Sequence, residues 1–139
     1  MPIVGGTNVS RGPFRDVLPE PEIFWYPLSF TEIESEVLDA AGVTAAGSGS
    51  YIGRRFLLAG TILHKRGDGQ VERFTAAGGQ SIYAILFRTV EVLDTSANSD
   101  TPVPVVPKFV GAKFKSANIV DYATHSAALA TAFPNAVFA

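Results

Sequence analysis

The sequence predicts a mainly β (α+β) domain with an extended N-terminal arm and one helix near the C-terminus. All nine prolines precede residue 28 or follow residue 101. Because proline cannot sit in a central strand, residues 28–101 can carry a regular hydrogen-bonded sheet. Apolar segments rich in β-branched and aromatic residues alternate there with glycines and polar loops, as is typical of strands. We therefore divide the chain into an arm at 1–30 and a β-rich domain at 31–139.

The predicted arm contains the most aromatic stretch of the chain, Ile23-Phe24-Trp25-Tyr26. Its prolines favour an extended, polyproline-like backbone. A tail that is merely solvated would not hold four large apolar groups together. These side chains are therefore expected to be buried, either against the chain's own core or against a partner, and the sequence leaves both alternatives open.

The first strand is predicted within residues 31–40. Glutamates at alternate positions give a period of two, which favours a strand. Thr31 followed by Glu34 resembles a capping box and would favour a short helix instead. We favour the strand. Residues 41–50 are rich in glycine, alanine and serine and are predicted to form a loop.

Residues 52–64 are predicted to form a strand pair or one long bent strand, and residues 71–75 are predicted to pair back across the following turn as a hairpin. Gly60, between Ala59 and Thr61, indicates a bulge or a sharp bend within the first of these segments.

The turn of this hairpin contains Arg66-Gly67-Asp68, which matches an adhesion tripeptide. A match of only three residues arises often by chance. Asp68-Gly69 between apolar strands is a hairpin signal, because type I′ turns need a positive φ. We assign Gly67, Asp68 and Gly69 to a hairpin turn whose charged tip faces water.

Residues 81–92 give the strongest strand prediction, because they are β-branched and aromatic and nearly uncharged in their first half. Two shorter strands are predicted at 103–106 and 108–114. Pro104 and Pro107 place these strands at a sheet edge.

The helix is predicted over about residues 118–133. Asn118 followed by Asp121 gives an N-cap signature, and Pro134 ends the pattern. The residues at helical spacing are mostly small, so the helix must pack closely on its neighbour. It could line a threefold axis or close the domain's own core, and we favour the core. Residues 137–138 can return as a terminal strand or plug.

Composition argues against several classes of function. Cysteine is absent, so neither disulfides nor thiolate metal sites can form. The net charge of -2 gives no general attraction to nucleic acid. No apolar run approaches the roughly 18 residues of a membrane span. The first residues also lack the features of a signal peptide, so we expect synthesis in the cytoplasm.

The charge is unevenly distributed along the chain. Residues 1–40 hold seven acidic and two basic residues, whereas the remainder holds six acidic and nine basic residues. This asymmetry fits ordinary surface scatter, or else an acidic face that meets a basic partner.

No motif for catalysis, metal binding or nucleotide binding is evident. His64 and His125 are not close in sequence to a paired carboxylate or an activated hydroxyl, and no spacing motif supports a metal site. The glycines at 47–50 are not followed by the Gly-Lys-Ser/Thr of a phosphate-binding loop. The sequence therefore predicts no catalytic residue, metal or cofactor. It is typical of a protein that acts by binding surfaces.

Several segments together resemble the head decoration proteins of tailed bacteriophages, the lambda-type group. They are RRFLLAGTIL at 54–63, the Gly-Asp-Gly turn, AILF at 84–87 and VEV at 90–92. That family commonly carries an aGT-x-L strand, a glycine-containing turn, a gIL strand and then V-x-V. A Val/Pro strand and a terminal helix containing Leu129 match the family's ending. The resemblance covers about residues 50–139, and Ala84 stands where the family has glycine.

The resemblance implies a β-clip or β-tulip domain that forms homotrimers on the outer surface of the filled phage head. Such trimers sit at local threefold axes, bind the major capsid protein and stabilise the shell against DNA pressure. The resemblance implies no enzyme activity, no cofactor and no direct contact with nucleic acid or membrane. The residues expected to bind the capsid are apolar ones of the arm: Ile3, Val4, Phe14, Phe24, Trp25 and Tyr26.

Two alternatives remain at this stage. One is another virion structural protein, such as a tail, fibre-base or head-completion protein, for which the lack of a chemical site is equally suitable. The other is a β-clip nucleotide hydrolase, because trimeric folds of this type include dUTP-hydrolysing enzymes. The acidic and arginine motifs that such enzymes need are not evident in the sequence.

Overall fold

The structure is a computed structural model that describes residues 18–26, 32–47, 51–93 and 100–139, with Asp100 described by its backbone alone. These residues form mainly β structure with one α-helix, which confirms the predicted fold class at that level. The elements are β1 (Glu34–Asp39), a 3₁₀ turn (Ala40–Gly42), β2 (Phe56–Leu57), β3 (Ile62–Lys65), β4 (Gln70–Arg73), β5 (Ala84–Leu86), β6 (Val90–Glu91), β7 (Asp100–Pro107), β8 (Lys113–Phe114), a second 3₁₀ turn (Ser116–Asn118), α1 (Tyr122–Ala132) and β9 (Val137–Phe138).

Five strands close into a barrel in the order β1-β4-β3-β5-β7. The predicted hairpin forms the β3–β4 pair, and β3–β5, β5–β7 and β7–β1 are also antiparallel. The parallel pair of β1 and β4 closes the ring. The strand predicted within residues 31–40 is thus confirmed as β1.

The placement of β7 differs from the sequence prediction. An edge strand was predicted at 103–106, but β7 pairs with β1 on one side and with β5 on the other. The backbone oxygen of Pro104 accepts from the amide of Phe87, just past the end of β5. The nitrogen and oxygen of one residue point to the same side of an antiparallel strand. The nitrogen of Pro104 therefore faces Phe87, the residue after β5, and the missing N–H removes no bond to β1.

The segment 81–92, predicted as one strand, is divided into two. Its first part is β5 of the barrel, whereas β6 pairs with β2 in a separate two-stranded ribbon. The Arg54 guanidinium binds both carboxylate oxygens of Glu91 across this ribbon, at 2.7 and 2.8 Å. The strand predicted at 108–114 is likewise reduced to β8.

The barrel has two apolar surfaces. Directly paired residues share one face of a sheet, and register pairs Leu63 with Ala84 and Leu86 with Val105. This inner set forms one buried cluster. On the opposite face, Ile85 pairs with Ile62 and Val106, and these residues form a second cluster with α1. A helix cannot fit inside a five-stranded barrel, so the second cluster is the outer one.

The helix covers the outer face of the barrel. Leu129 and Phe133 are buried there, so α1 closes the domain's own core as we favoured. The helix starts later than predicted, because Asp121 adopts a left-handed conformation (φ 59°) and makes no side-chain cap. Asn118 lies in the preceding 3₁₀ turn, and the N-cap prediction is wrong. Residues 137–138 form the predicted terminal strand, β9, which pairs in parallel with β8.

The β3–β4 hairpin turns at Gly67, Asp68 and Gly69 as predicted. The Gly69 amide donates to the Arg66 carbonyl at 3.0 Å, and among these turn residues only Gly69 has a positive φ, +93°. This pattern is typical of a type I turn followed by a bulge residue. The type I′ prediction is wrong, because that turn needs a positive φ at both central residues.

Arg66 does not simply face water. Its guanidinium contacts the carboxylates of Asp39, Asp68 and Glu72, and it also donates to Gln70 at 2.8 Å. The hydrogen bonds that Arg66 donates to Asp68 and Asp39 raise the pKa of its guanidinium above the ordinary value. Arg66, the arginine of the apparent adhesion tripeptide, therefore connects the hairpin turn to the end of β1 through ion pairs.

Candidate interaction surface

A short part of the predicted arm pairs with β8. The Trp25 amide donates to the Lys113 carbonyl at 3.0 Å, and the Lys115 amide donates to the Ile23 carbonyl at 2.7 Å. Phe24 lies opposite Phe114 in this antiparallel pairing. Because β8 also pairs with β9, these residues form a small three-stranded layer on the outside of the barrel.

This pairing divides the aromatic stretch between two environments. Ile23 and Phe24 are buried in the outer core. The Phe24 ring lies 5.0 Å from the ring of Phe114 and 5.9 Å from that of Phe87, measured between centroids. Phe24, predicted as a capsid anchor, is instead a core residue of its own chain. Residues 22–26 belong to the folded domain rather than to an arm that ends at residue 30.

Thr89 holds the residues just before this stretch. Its hydroxyl donates to the Pro19 carbonyl at 2.6 Å, and its amide donates to the Glu20 carboxylate at 2.9 Å. The same hydroxyl oxygen accepts from the Ala59 amide at 3.0 Å. These contacts bend the chain between β5 and β6 and explain why residues 81–92 do not form one continuous strand.

Trp25 and Tyr26 remain on the surface, with 50% and 70% of their area exposed. The ammonium groups of Lys113 and Lys115 lie 5.7 and 5.2 Å from the centre of the Trp25 ring. Val137, the register partner of Lys113, is also more than half exposed. We call these five residues the Trp25 face.

The Trp25 face has the chemistry of a protein-binding surface. Trp and Tyr are the residue types that contribute most to binding energy at interfaces. Here the indole is held by backbone hydrogen bonds to β8, so little conformational entropy is lost when it is covered. The lysines add positive charge beside the ring, although Lys115 is also paired with Glu22 at 2.8 Å. Hydrogen bonding to Lys115 lowers the pKa of Glu22.

The other predicted capsid-binding residues, Ile3, Val4 and Phe14, lie outside the described residues. No sequence pattern indicated that Lys113, Lys115 and Val137 take part in this face. They approach Trp25 only because β8 and β9 pair beside it.

A second surface feature is a cleft of about 420 Å³ between the end of β1, the β2–β6 ribbon and β4. We call it the ribbon cleft. Its apolar lining includes Leu38, Val43 and Leu57. Asp39 and Glu72 lie at its polar rim.

The rim of the ribbon cleft is rich in carboxylates. Asp39, Asp68 and Glu72 share the single guanidinium of Arg66. On the other side, Arg73 is paired with Asp121 at 2.8 Å. The two carboxylates that line the cleft, Asp39 and Glu72, both contact Arg66, and Arg73 lines the cleft as well, so the charged groups at its rim are paired.

A polar network lies at the edge of the inner barrel cluster. Lys65 pairs with Glu36 at 3.1 Å, and the Tyr83 hydroxyl donates to the same carboxylate at 2.8 Å. Hydrogen bonding to Glu36 raises the pKa of both Lys65 and Tyr83. Lys65, Glu36 and Tyr83 each have a partner of complementary charge or polarity, so these contacts are explained by their role in the structure.

The two histidines, His64 and His125, also make contacts within the fold. Nδ1 of His64 lies 3.0 Å from the Ser81 carbonyl oxygen and 3.2 Å from the Ser81 amide nitrogen. The ring of His125 packs edge-on against Phe74. Across the described ranges, no three His, Asp or Glu side chains are grouped so that they could hold a metal ion. A search of the same residues for a helix able to cross a membrane finds none.

Comparisons of the chain with protein-family models, with curated proteins and with solved structures find no match. The functional conclusion therefore depends on the residues of this chain and on the surfaces they form.

Proposed function

We propose that this chain is a capsid decoration protein of a tailed bacteriophage. It binds the outer surface of the head as homotrimers at local threefold axes, contacts the major capsid protein and stabilises the shell against DNA pressure. It is a structural protein of the virion that works through contact area rather than through catalysis.

The observation that carries this proposal is the Trp25 face. Trp25 and Tyr26 are exposed on a hydrogen-bonded layer, at the end of the described chain segment that follows the N-terminal residues 1–17. A pair of large aromatic side chains exposed at a surface has a high potential binding energy.

The segments that carry the family resemblance support the proposal by their arrangement. RRFLLAGTIL contains β2 and the first half of β3, AILF contains β5, and VEV contains β6. β3 pairs with β5, and β2 pairs with β6. Motifs separated in sequence are therefore neighbours in space, as expected of residues that define one structural unit. We propose that this barrel is a β-clip or β-tulip variant.

Binding to heads of the phage that encodes the chain tests the proposal. Purified protein is mixed with heads that lack it, and the bound protein per head is measured after sedimentation. Negative-stain images with labelled protein show where it binds. We expect coating over the whole head, and label confined to the tail, fibre base or portal region would favour another virion role.

The contribution of the arm is tested by deleting residues 1–17. A longer deletion, through residue 27, would also remove Ile23 and Phe24 from the core and would confuse lost binding with unfolding. We expect the shorter deletion to lower the affinity for heads because Ile3, Val4 and Phe14 are lost. Unchanged coating by the truncated protein would exclude the arm from capsid binding.

A further inference from the structure

We propose that the Asp68–Gly69 pair of the β3–β4 turn is a site of spontaneous aspartate isomerisation, and that Arg66 protects it. The chemistry is closure of a succinimide ring between the Asp68 carboxyl group and the Gly69 nitrogen, followed by hydrolysis of that ring. Such protection is useful to any protein that persists without being resynthesised, whether or not it coats a phage head.

The sequence places the risk at this turn. Asp68-Gly69 is the only Asp-Gly pair in the chain, and no Asn-Gly pair occurs. Isomerisation is fastest where glycine follows aspartate, because glycine has no Cβ to hinder the approach of its nitrogen to the aspartate Cγ. Both residues are exposed, so the water that hydrolyses the ring has access to them.

The turn has a structural need for both residues of the pair. Gly69 has φ +93°, a conformation that residues with a side chain rarely adopt, so another residue there would strain the turn. The Asp68 carboxylate accepts from the Gln70 amide at 3.0 Å, at the first residue of β4. Replacing either residue to avoid the reaction would therefore weaken the hairpin.

The reaction has two steps. The Gly69 nitrogen forms a bond to Cγ of Asp68, the amide loses its proton, and the carboxylic acid loses its hydroxyl, so that water leaves. Water then breaks one of the two bonds between the ring nitrogen and a carbonyl carbon. Breakage at Cγ restores aspartate, whereas breakage at the main-chain carbonyl carbon gives isoaspartate. The main chain of that product runs through Cγ and is longer by one carbon atom.

Arg66 opposes the first step through its side chain and through its backbone. Its Nη2 donates to Oδ2 of Asp68 at 2.6 Å, and its Nε donates to Oδ1 at 3.4 Å. These bonds lower the pKa of Asp68 and favour the ionised carboxylate, which has no hydroxyl to leave as water. The Arg66 carbonyl also accepts from the Gly69 amide at 3.0 Å, which engages the hydrogen of the attacking nitrogen.

Contacts outside the Asp68–Gly69 pair hold the Arg66 guanidinium in place. It pairs with Asp39 at the end of β1 and donates to the Gln70 side chain at 2.8 Å. Glu72 lies 3.6 Å from the same guanidinium. A planar guanidinium can contact several acceptors at once, and the Arg66 side chain is only 30% exposed. The guanidinium is therefore kept beside the Asp68 carboxylate.

Isoaspartate at residue 68 is measured by peptide mapping and mass spectrometry after incubation at neutral pH and one fixed temperature below the unfolding transition. We expect the wild type unfolded in guanidinium chloride to isomerise at least about tenfold faster than the folded wild type. Folded Arg66→Gln should likewise isomerise at least about tenfold faster than the folded wild type, the factor that one hydrogen bond to a charged group is worth.

Arg73→Gln is the matched control. Arg73 lies in the same hairpin but pairs with Asp121 at 2.8 Å. This variant also loses an arginine ion pair, and it should leave the rate at Asp68 unchanged. Far-UV circular dichroism checks that the variants are folded. If Arg66→Gln is unfolded, Arg66→Lys takes its place, because lysine keeps the charge without the planar set of donors, and it should isomerise faster than the wild type.

Three outcomes would overturn the proposal. They are equal rates in the folded and unfolded wild type, a folded Arg66 variant no faster than the wild type, and an Arg73→Gln variant accelerated as much as the Arg66 variant. Coating of phage heads is a separate measurement. Its failure would contradict the decoration function and would leave the protection of Asp68 by Arg66 unaffected.

Discussion

Phe24→Ala is the substitution that most directly tests whether residues 22–26 belong to the folded domain. Phe24 is 7% exposed and lies within 6 Å, between ring centroids, of Phe87 and Phe114. Truncation of a buried phenylalanine to alanine costs about 3–5 kcal/mol, through lost apolar burial and the cavity left behind. That is a large fraction of the roughly 5–15 kcal/mol by which domains are stable.

The assay is urea unfolding followed by far-UV circular dichroism, which does not depend on the single tryptophan. With a slope of about 2 kcal/mol per molar urea, the expected loss lowers the midpoint by about 1.5–2.5 M. Tyr26→Ala is the matched control, because Tyr26 is 70% exposed and should change stability by no more than about 0.5 kcal/mol. Equal, small effects of the two substitutions would refute the placement of Phe24 in the core.

Three further predictions concern the barrel. Gly60→Ala should lower the free energy of unfolding by more than about 2 kcal/mol, measured by thermal unfolding. The reason is that Gly60 has φ +91° and an added Cβ would lie 2.2 Å from the Asn118 carbonyl oxygen. Gly67→Ala is the control and should change stability little, because no atom lies within 4 Å of a Cβ at that position. The pKa values of Lys65 and Tyr83 are raised in the folded state. Their contribution to the free energy of unfolding is therefore present at neutral pH and should be lost above about pH 10. A Tyr83→Phe variant should lose stability less steeply in that range than the wild type. The hydrogen bond from Arg66 lowers the pKa of Asp68 in the folded state. Its contribution to the free energy of unfolding is therefore present above about pH 4 and should be lost on acidification. In acid titrations of stability, Asp68→Asn should fall less steeply with pH than the wild type.

Local sequence patterns correctly predicted the elements that are specified by residues close together in the chain. The period of two in residues 31–40 predicted β1, and the glycine-rich turn predicted the β3–β4 hairpin. Pro134 correctly ended the helix, which stops at Ala132. In each case the signal lies within a few residues of the structure that it specifies.

Elements that depend on distant contacts were not predictable in this way. The break in 81–92 depends on Thr89 and its bonds to Pro19 and Glu20, about 70 residues away in the chain. Likewise, the proline-containing β7 pairs on both sides because the nitrogen of Pro104 faces Phe87, just past the end of β5, and not β1.

The binding surface shows the same limit. The sequence identified the aromatic stretch and left its burial open between the chain's own core and a partner. Pairing with β8 determines which of these side chains are buried, because alternate side chains of a strand point to opposite faces. Phe24 packs inward, whereas Trp25 lies beside Lys113 on the surface.

The central claim, that this chain covers a phage head by surface contact, is tested most directly by counting its copies on heads. Electron cryomicroscopy of virions from the encoding phage, compared with virions from which the gene is deleted, gives both the number and the position. We expect density for this barrel at every local threefold axis of the outer shell, with the N-terminal residues against the major capsid protein. Identical outer surfaces of the two kinds of virion would contradict it.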